Sequence, residues 1–427
     1  MPLGWVDFSK DGLGLGKTID ELQKNSGRDA LSLGYVQKGY ANLFYPGSAT
    51  QFGRAKYLFL VPAALLELSK RYNEKKEKGN IDKDTLETEL KDIEFDQSRA
   101  LLKGLNGESK TNIGIIGSGD ASIAGTPVIK WNYWSMLKEY GMLKEKHEGL
   151  DLKRCTWNVY KKALLKGTDM TGCWDFSGFA ADTDAFLDRY RKKTLSETLS
   201  IDLDEEERAF LKTRIQDKHP ASVMAEMLNI DGKKLREVLS ESTTHEKLYA
   251  LAGFSVFSEP NKEQLKRAAA FAEFSGVLFT AYNLMILNEG ETRDEAVKRW
   301  NETDLTGIAK KQDLNGVFDD VKAEDVYFIN FIKNAREIMI SGSADDFDNR
   351  IPKVKFLNNA ALENKEKLKA LTNLIYDRIK KSPNALKEQE GWTGLKEMNY
   401  YTELTGNIIL EILGQRRIGD ERNEDPA

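Results

Sequence analysis

Apolar residues recur along most of this chain at the spacing of one helix face. Ala55 to Tyr72 places Leu58, Val61, Leu65 and Leu68 on one stripe, with Pro62 expected to kink the run or divide it into two helices. Thr85 to Leu105 repeats the pattern through Leu86, Leu90, Ile93 and Leu101. Tyr35 to Leu43 predicts a shorter helix stopped by Pro46-Gly47. The pattern changes at Asn112. Ile113-Gly-Ile-Ile-Gly117 is β-branched and bounded by glycine, which predicts a strand entering a turn. A helix from Val128 to Tyr140 is then expected, closed by Gly141. From Asp204 to about Arg417 helices dominate, with polar breaks expected near Gly253, Gly290, Gly307, Gly316, Ser341 to Asp346 and Gly391, and the tail from Gly419 is polar. The expected architecture is mainly α with a minor β component. It divides into an N-terminal helical unit (1–110), a basic, aromatic, winged-helix-like middle region (111–200), a C-terminal helical domain (201–417) and a disordered tail (418–427).

The 427 residues carry 63 basic and 68 acidic side chains, a formal net charge of -5 that argues against a dedicated nucleic-acid coat but allows a local basic patch. Two Cys (Cys155, Cys173) and three His (His147, His219, His245) exclude a disulfide framework and a Cys/His-rich zinc module. The longest apolar stretch, Phe271 to Leu287, contains Glu273, Ser275, Gly276 and Asn283, and reads as a buried core helix rather than a membrane span. The N-terminus lacks the basic and apolar segments of a signal peptide, so a cytoplasmic location with reduced thiols is expected.

Several strings suggest chemistry and then fail its requirements. Asp11-Gly-Leu-Gly-Leu-Gly-Lys-Thr18 resembles the phosphate loop of a superfamily-two helicase, where glycine amides cradle phosphates and Lys reaches the terminal ones. A strict Walker loop has Gly where Asp11 stands, and it must leave a buried strand, for which only Trp5 to Phe8 with its Asp7 is available. Ile201-Asp-Leu-Asp-Glu-Glu-Glu207 is not an acidic box after a strand but an acidic helix N-terminus. His245-Glu-Lys247 opens like the HxK motif of phospholipase-D-type nucleases, but Ala252 occupies the place of the required Asp. His219, before Pro220, suits capping at the start of a helix. The carboxylate groups Asp92/Glu94/Asp96 and Asp345/Asp346/Asp348 have the composition of a solvated helix face and of a turn. No catalytic residue, metal ligand or cofactor is assigned.

The positive signal is the basic, aromatic segment. Between Val128 and Gly167 nine Lys and Arg face four Asp and Glu, interleaved with Trp131, Tyr133, Trp134, Tyr140, Trp157 and Tyr160, and Arg189-Tyr-Arg-Lys-Lys193 follows. Winged-helix-like units set a helix against duplex DNA while cations contact phosphates. On that reading Lys130, Lys138, Arg154, Lys161, Lys162, Arg189, Arg191 and Lys192 are the candidate DNA contacts. The competing reading makes the Trp stripe a core and the lysines its solvated exterior.

Gly4-Trp-Val-Asp-Phe-Ser9, Asn42-Leu-Phe-Tyr-Pro-Gly47, Arg54-Ala-Lys-Tyr-Leu-Phe-Leu-Val-Pro62, Gly114-Ile-Ile-Gly117, Tyr133-Trp134, Tyr140-Gly-Met142 and Tyr282-Asn-Leu-Met285 together resemble an uncharacterised bacterial domain-of-unknown-function family. The resemblance spans residues 4 to about 413. Relatives carry an aspartate-aromatic-Arg-Trp-Pro phrase near the C-terminus where Met398-Asn-Tyr-Tyr-Thr-Glu403 stands here, so no ligand contact of that phrase is carried over. The resemblance implies a genomic context, antiphage defence clusters beside helicases and phospholipase-D-like nucleases, and no activity. The leading expectation is therefore a non-catalytic accessory subunit that engages DNA or scaffolds a helicase or nuclease partner, without membrane contact. The alternatives are a metal-dependent nuclease with a degenerate motif and a pure protein-interaction subunit.

Overall fold

The computed structural model describes residues 31–48, 54–77, 83–105, 133–191, 197–342, 361–381, 383–393 and 395–419. The expected strand at Ile113, the Walker-like string and the Asp345 cluster lie outside them. The described chain is mainly helical, and its one sheet is a two-residue antiparallel hairpin, Lys146–His147 with Leu150–Asp151. Two compact units form, and they interleave in sequence. Among the described residues one contains those of 44–240 and 401–419, and the other those of 31–43 and 241–400.

The first unit is built around the helix Tyr57–Glu77, whose opening turns are apolar on every side and are buried on every side. It runs as one helix across Pro62. Pro62 is its sixth residue, so the missing N–H removes one bond of the ladder, to the Leu58 carbonyl, and the helix continues because the turn is buried on every side. Gln97 of the helix Lys83–Gly104 donates to the Leu60 carbonyl at 3.1 Å. Aromatic rings fill the space beside these helices. Phe59 stacks on Tyr190, Phe176 on Phe186, and Trp174 on Phe176 and Trp134.

Local signals end the elements where the chemistry requires. The helix Trp134–Glu139 closes on Gly141, whose φ of 68° lets its N–H reach Lys138 O while Met142 N–H reaches Leu137 O, both at 2.9 Å. That is the paired capping arrangement glycine permits. Residues 201–207 form the acidic helix start the sequence suggests: Asp204 and Glu207 make a reciprocal capping box on Glu205–Lys218. His219 ends that helix rather than starting one.

In the second unit the 28-residue helix Glu259–Ile286 is the axis. It is long and apolar enough to cross a membrane, but 89% of its most apolar window is buried inside the protein. Thr244–Ala252 folds back against it, and Glu291–Asn301, Leu305–Lys310, Leu314–Val321 and Lys365–Ile379 surround it. Gly307 and Gly316, expected as breaks, lie in the first turns of two of these helices. In each Asp-Leu-x-Gly phrase the aspartate caps the glycine N–H, and a Cβ on the glycine would stand 2.1 or 2.2 Å from the carboxylate. A glycine spaced for an aspartate cap looks, in sequence, like a break.

Gly104 gives the sharpest packing test. A Cβ there would lie 2.0 Å from the Leu199 carbonyl oxygen, and backbone cannot move aside as a side chain can. Gly104→Ala is expected to destabilise the protein by about 1–3 kcal/mol. Gly391→Ala, where nothing lies within 4 Å, is the neutral control. Urea unfolding midpoints of the two variants check this.

Candidate nucleic-acid interface

The phrase Arg54-Ala-Lys56 turns inward. Arg54 is 1% exposed, donates to Asp202 Oδ1 at 2.7 Å and pairs with Glu411 Oε1 at 2.5 Å. Ala55 N–H donates to the other Glu411 oxygen at 2.6 Å. Lys56 donates to both oxygens of the fully buried Glu207 at 2.6 and 2.8 Å, and the Tyr190 hydroxyl donates to the same carboxylate at 2.6 Å. Tyr133, held at a φ of 70°, brackets Arg54 by accepting from its N–H and donating to its carbonyl. Burial raises the Glu411 pKa, with the Arg54 charge opposing it. These ions balance one another, so the cluster is a structural joint rather than a site open to substrate.

Against that joint, the basic residues separate into two groups. Lys138 is half-buried and donates to the Lys153 carbonyl at 3.3 Å. Lys161 pairs with Glu87 at 2.7 Å. Arg189 spans Asp204 and Glu206 at 2.6 and 2.7 Å and lies over the Phe179 ring. Burial works against the Arg189 charge, yet those two carboxylates hold its pKa above the ordinary arginine range. Arg191 pairs with Glu67, a buried carboxylate that also holds Arg71. Lys130 and Lys192 lie outside the described residues.

Arg154 and Lys162 remain exposed and, among the described residues, have no carboxylate partner. Lys162 sits on the helix Trp157–Leu165, which buries Trp157, Tyr160, Ala163 and Leu164. The opposite face presents Asn158, Lys162 and, just past the helix end, Lys166, all exposed. Lys166 belongs to this face although the candidate set omitted it. The four-residue spacing from Asn158 was readable in the sequence once Trp157 and Tyr160 were placed inside. The aromatic interleaving, by contrast, is core: Tyr133, Trp134, Tyr140, Trp157 and Tyr160 are all buried.

The other candidates are structural. Cys155 and Cys173 are free and buried, and burial pushes the Cys155 thiol up to about 12, so neither supplies thiolate at neutral pH. In the second unit His245 Nδ1 meets Glu397 Oε2 at 2.8 Å, and Glu397 also accepts the Thr244 N–H at the start of the same helix. Among the described residues no group of three or more His, Cys, Asp or Glu is placed to hold a metal ion.

Two predictions test these assignments. Lys56→Met leaves Glu207 buried without its cation and is expected to cost about 3–5 kcal/mol, read from urea unfolding. At His245, the bond to Glu397 raises the pKa above 6.5, burial opposing and Glu273 and Glu246 assisting. A folded-state pKa above the unfolded one gives stabilisation that is full below about pH 6.5 and is lost as pH rises through the folded value. The stability difference between wild type and His245→Gln should therefore shrink as pH is raised from about 6 to about 9; a constant difference would show that the pair does not titrate with folding.

No curated protein and no solved structure matches the chain. A family model does, over residues 1–307, which takes in Arg54, Lys56, Asp202 and Glu207 of the joint, though not Glu411, and the exposed cationic helix. The chain belongs to that family, described as a family of unknown function (DUF6361).

Proposed function

We propose that this protein is a non-catalytic accessory subunit that engages DNA through the exposed cationic face of the helix Trp157–Leu165. One observation carries the reading. Between Leu143 and Thr168 seven Lys and Arg stand against three Asp and Glu; among the described residues only Lys153 and Lys161 pair with carboxylates, and of the exposed remainder Lys162 and Lys166 share one face of the helix while Arg154 lies in the turn before it. A local positive stripe on a chain of net charge -5 confines polyanion binding to that stripe. Elsewhere in the first unit the buried ions are mutually satisfied, which suits a rigid platform better than a reaction centre.

The resemblance in the phrases quoted above is consistent with a cytoplasmic subunit of an antiphage defence complex, beside a helicase or phospholipase-D-like nuclease partner. A second reading, a protein-docking subunit, has its own support. Val326 and Tyr327 open the helix Val326–Ser341 at 63% and 84% exposure, and Tyr is enriched at protein interfaces.

The test is fluorescence anisotropy of a labelled DNA duplex titrated with purified protein at two salt concentrations. Arg154→Glu combined with Lys162→Glu is expected to weaken binding and to lower the slope of log K against log salt by about 2, because about two fewer counterions are released. Lys161→Gln and Arg191→Gln, which remove cations already held by Glu87 and Glu67, should leave that slope unchanged. Unaltered binding by the folded double variant would overturn the assignment, and no binding by wild type would favour the docking subunit.

A further inference from the structure

Resting on the DNA-engaging reading, we infer that this face takes the phosphate backbone of duplex DNA, and that it neither stacks on unpaired bases nor reads sequence. Proteins that hold single strands combine a cationic groove with exposed aromatic rings on which successive bases stack, and each such stack contributes about 1–3 kcal/mol. Here the rings beside the cations are unavailable. Trp157 and Tyr160 point to the opposite side of the same helix, and Trp134 and Trp174 pack with Tyr160 into one buried cluster. Among the described residues, what this helix face presents is charge and one amide.

The geometry of that charge is a fixed row. Asn158, Lys162 and Lys166 follow one another at intervals of four residues, about 6 Å of axial rise each. Arg154, also exposed, lies in the turn before the helix. Neighbouring Lys161 is tied to Glu87, and this bond anchors the helix while removing one carboxylate from competition. A rigid row of cations complements the regular phosphate array of a duplex, which carries one charge per about 1.7 Å of axis. Lysine is a flexible point charge without arginine's fixed fork, so the two lysines of the row suit phosphate oxygens better than a fixed base edge. The Asn158 amide, which could read a base edge, sits one turn from the nearest lysine and serves equally as a phosphate donor.

The experiment uses the full chain and three short labelled probes: two duplexes of unrelated mixed sequence and one of their single strands. Wild type should bind both duplexes alike and the single strand at least about tenfold more weakly. Lys162→Glu with Lys166→Glu should abolish the duplex preference, and Lys162→Arg with Lys166→Arg should restore it, with circular dichroism confirming that both variants fold. A single strand bound as tightly as duplex, and weakened equally by the Glu variant, would overturn the duplex inference while leaving the DNA-binding face in place. A strong difference between the two duplexes would overturn sequence independence. Duplex binding that the Glu variant does not alter would instead remove the face itself, and with it the reading on which the inference rests.

Discussion

The first unit depends on burying two cations that follow one another almost directly in the chain. Arg54 and Lys56 point into the protein, and their charges are met by Asp202 and Glu207 from one stretch and Glu411 from another more than two hundred residues on. An isolated buried ion costs several kcal/mol, so the unit forms only when all three stretches arrive together. The interaction thus acts less as a source of net stability than as a condition on assembly. It also explains why a phrase as polar as Arg54-Ala-Lys can open an otherwise apolar helix.

The same principle sorts the basic residues of the middle segment. Arg189 lies in the last turn of the aromatic helix Thr183–Tyr190 and Arg191 caps it, so their guanidinium groups meet Asp204, Glu206 and Glu67. Lys161 faces the neighbouring helix and finds Glu87. Much of the charge that would look available to a polyanion is spent inside the unit, while the side of Trp157–Leu165 away from its tryptophan remains cationic toward solvent. Function, on the reading proposed above, resides in the residue of charge left after folding.

The second unit uses buried polar groups in a comparable way, but to hold a strand-less segment. Residues 389–400 cross the long apolar helix Glu259–Ile286 with little regular structure of their own. Their backbone groups are therefore met by side chains of the helices: Asn283 both donates to and accepts from Thr393, Ser275 accepts the Met398 N–H, and Arg299 donates to the Lys396 carbonyl. This accounts for the Ser275 and Asn283 interruptions in what is otherwise the most apolar stretch of the chain. The Tyr282-Asn283 phrase, like Arg54-Ala-Lys56 and Tyr140-Gly-Met142, belongs to structure: Tyr282 donates to the Ala385 carbonyl.

The sequence by itself determined the helices, because a repeat of 3.6 residues is written locally: the runs through Leu58, through Leu90 and through Phe271 are helices, and Tyr57, Phe59, Val61 and Leu65 are core. It also determined caps such as Asp204 and Gly141, whose chemistry acts within a few residues. The breaks expected near Gly307 and Gly316 fall just before them, each glycine sitting in the first turn of the next helix, whereas Pro62, expected to kink or divide its run, lies inside one helix. Which cations are free could not be read in the sequence at all. Lys161 and Lys162 are adjacent and chemically identical, and only the tertiary arrangement, by turning one toward Glu87 and the other toward water, decides that one is a strut and the other a contact. The reason is physical. Helix periodicity fixes a side chain's direction from its own segment, but its charge is cancelled or left free by residues that only folding brings near.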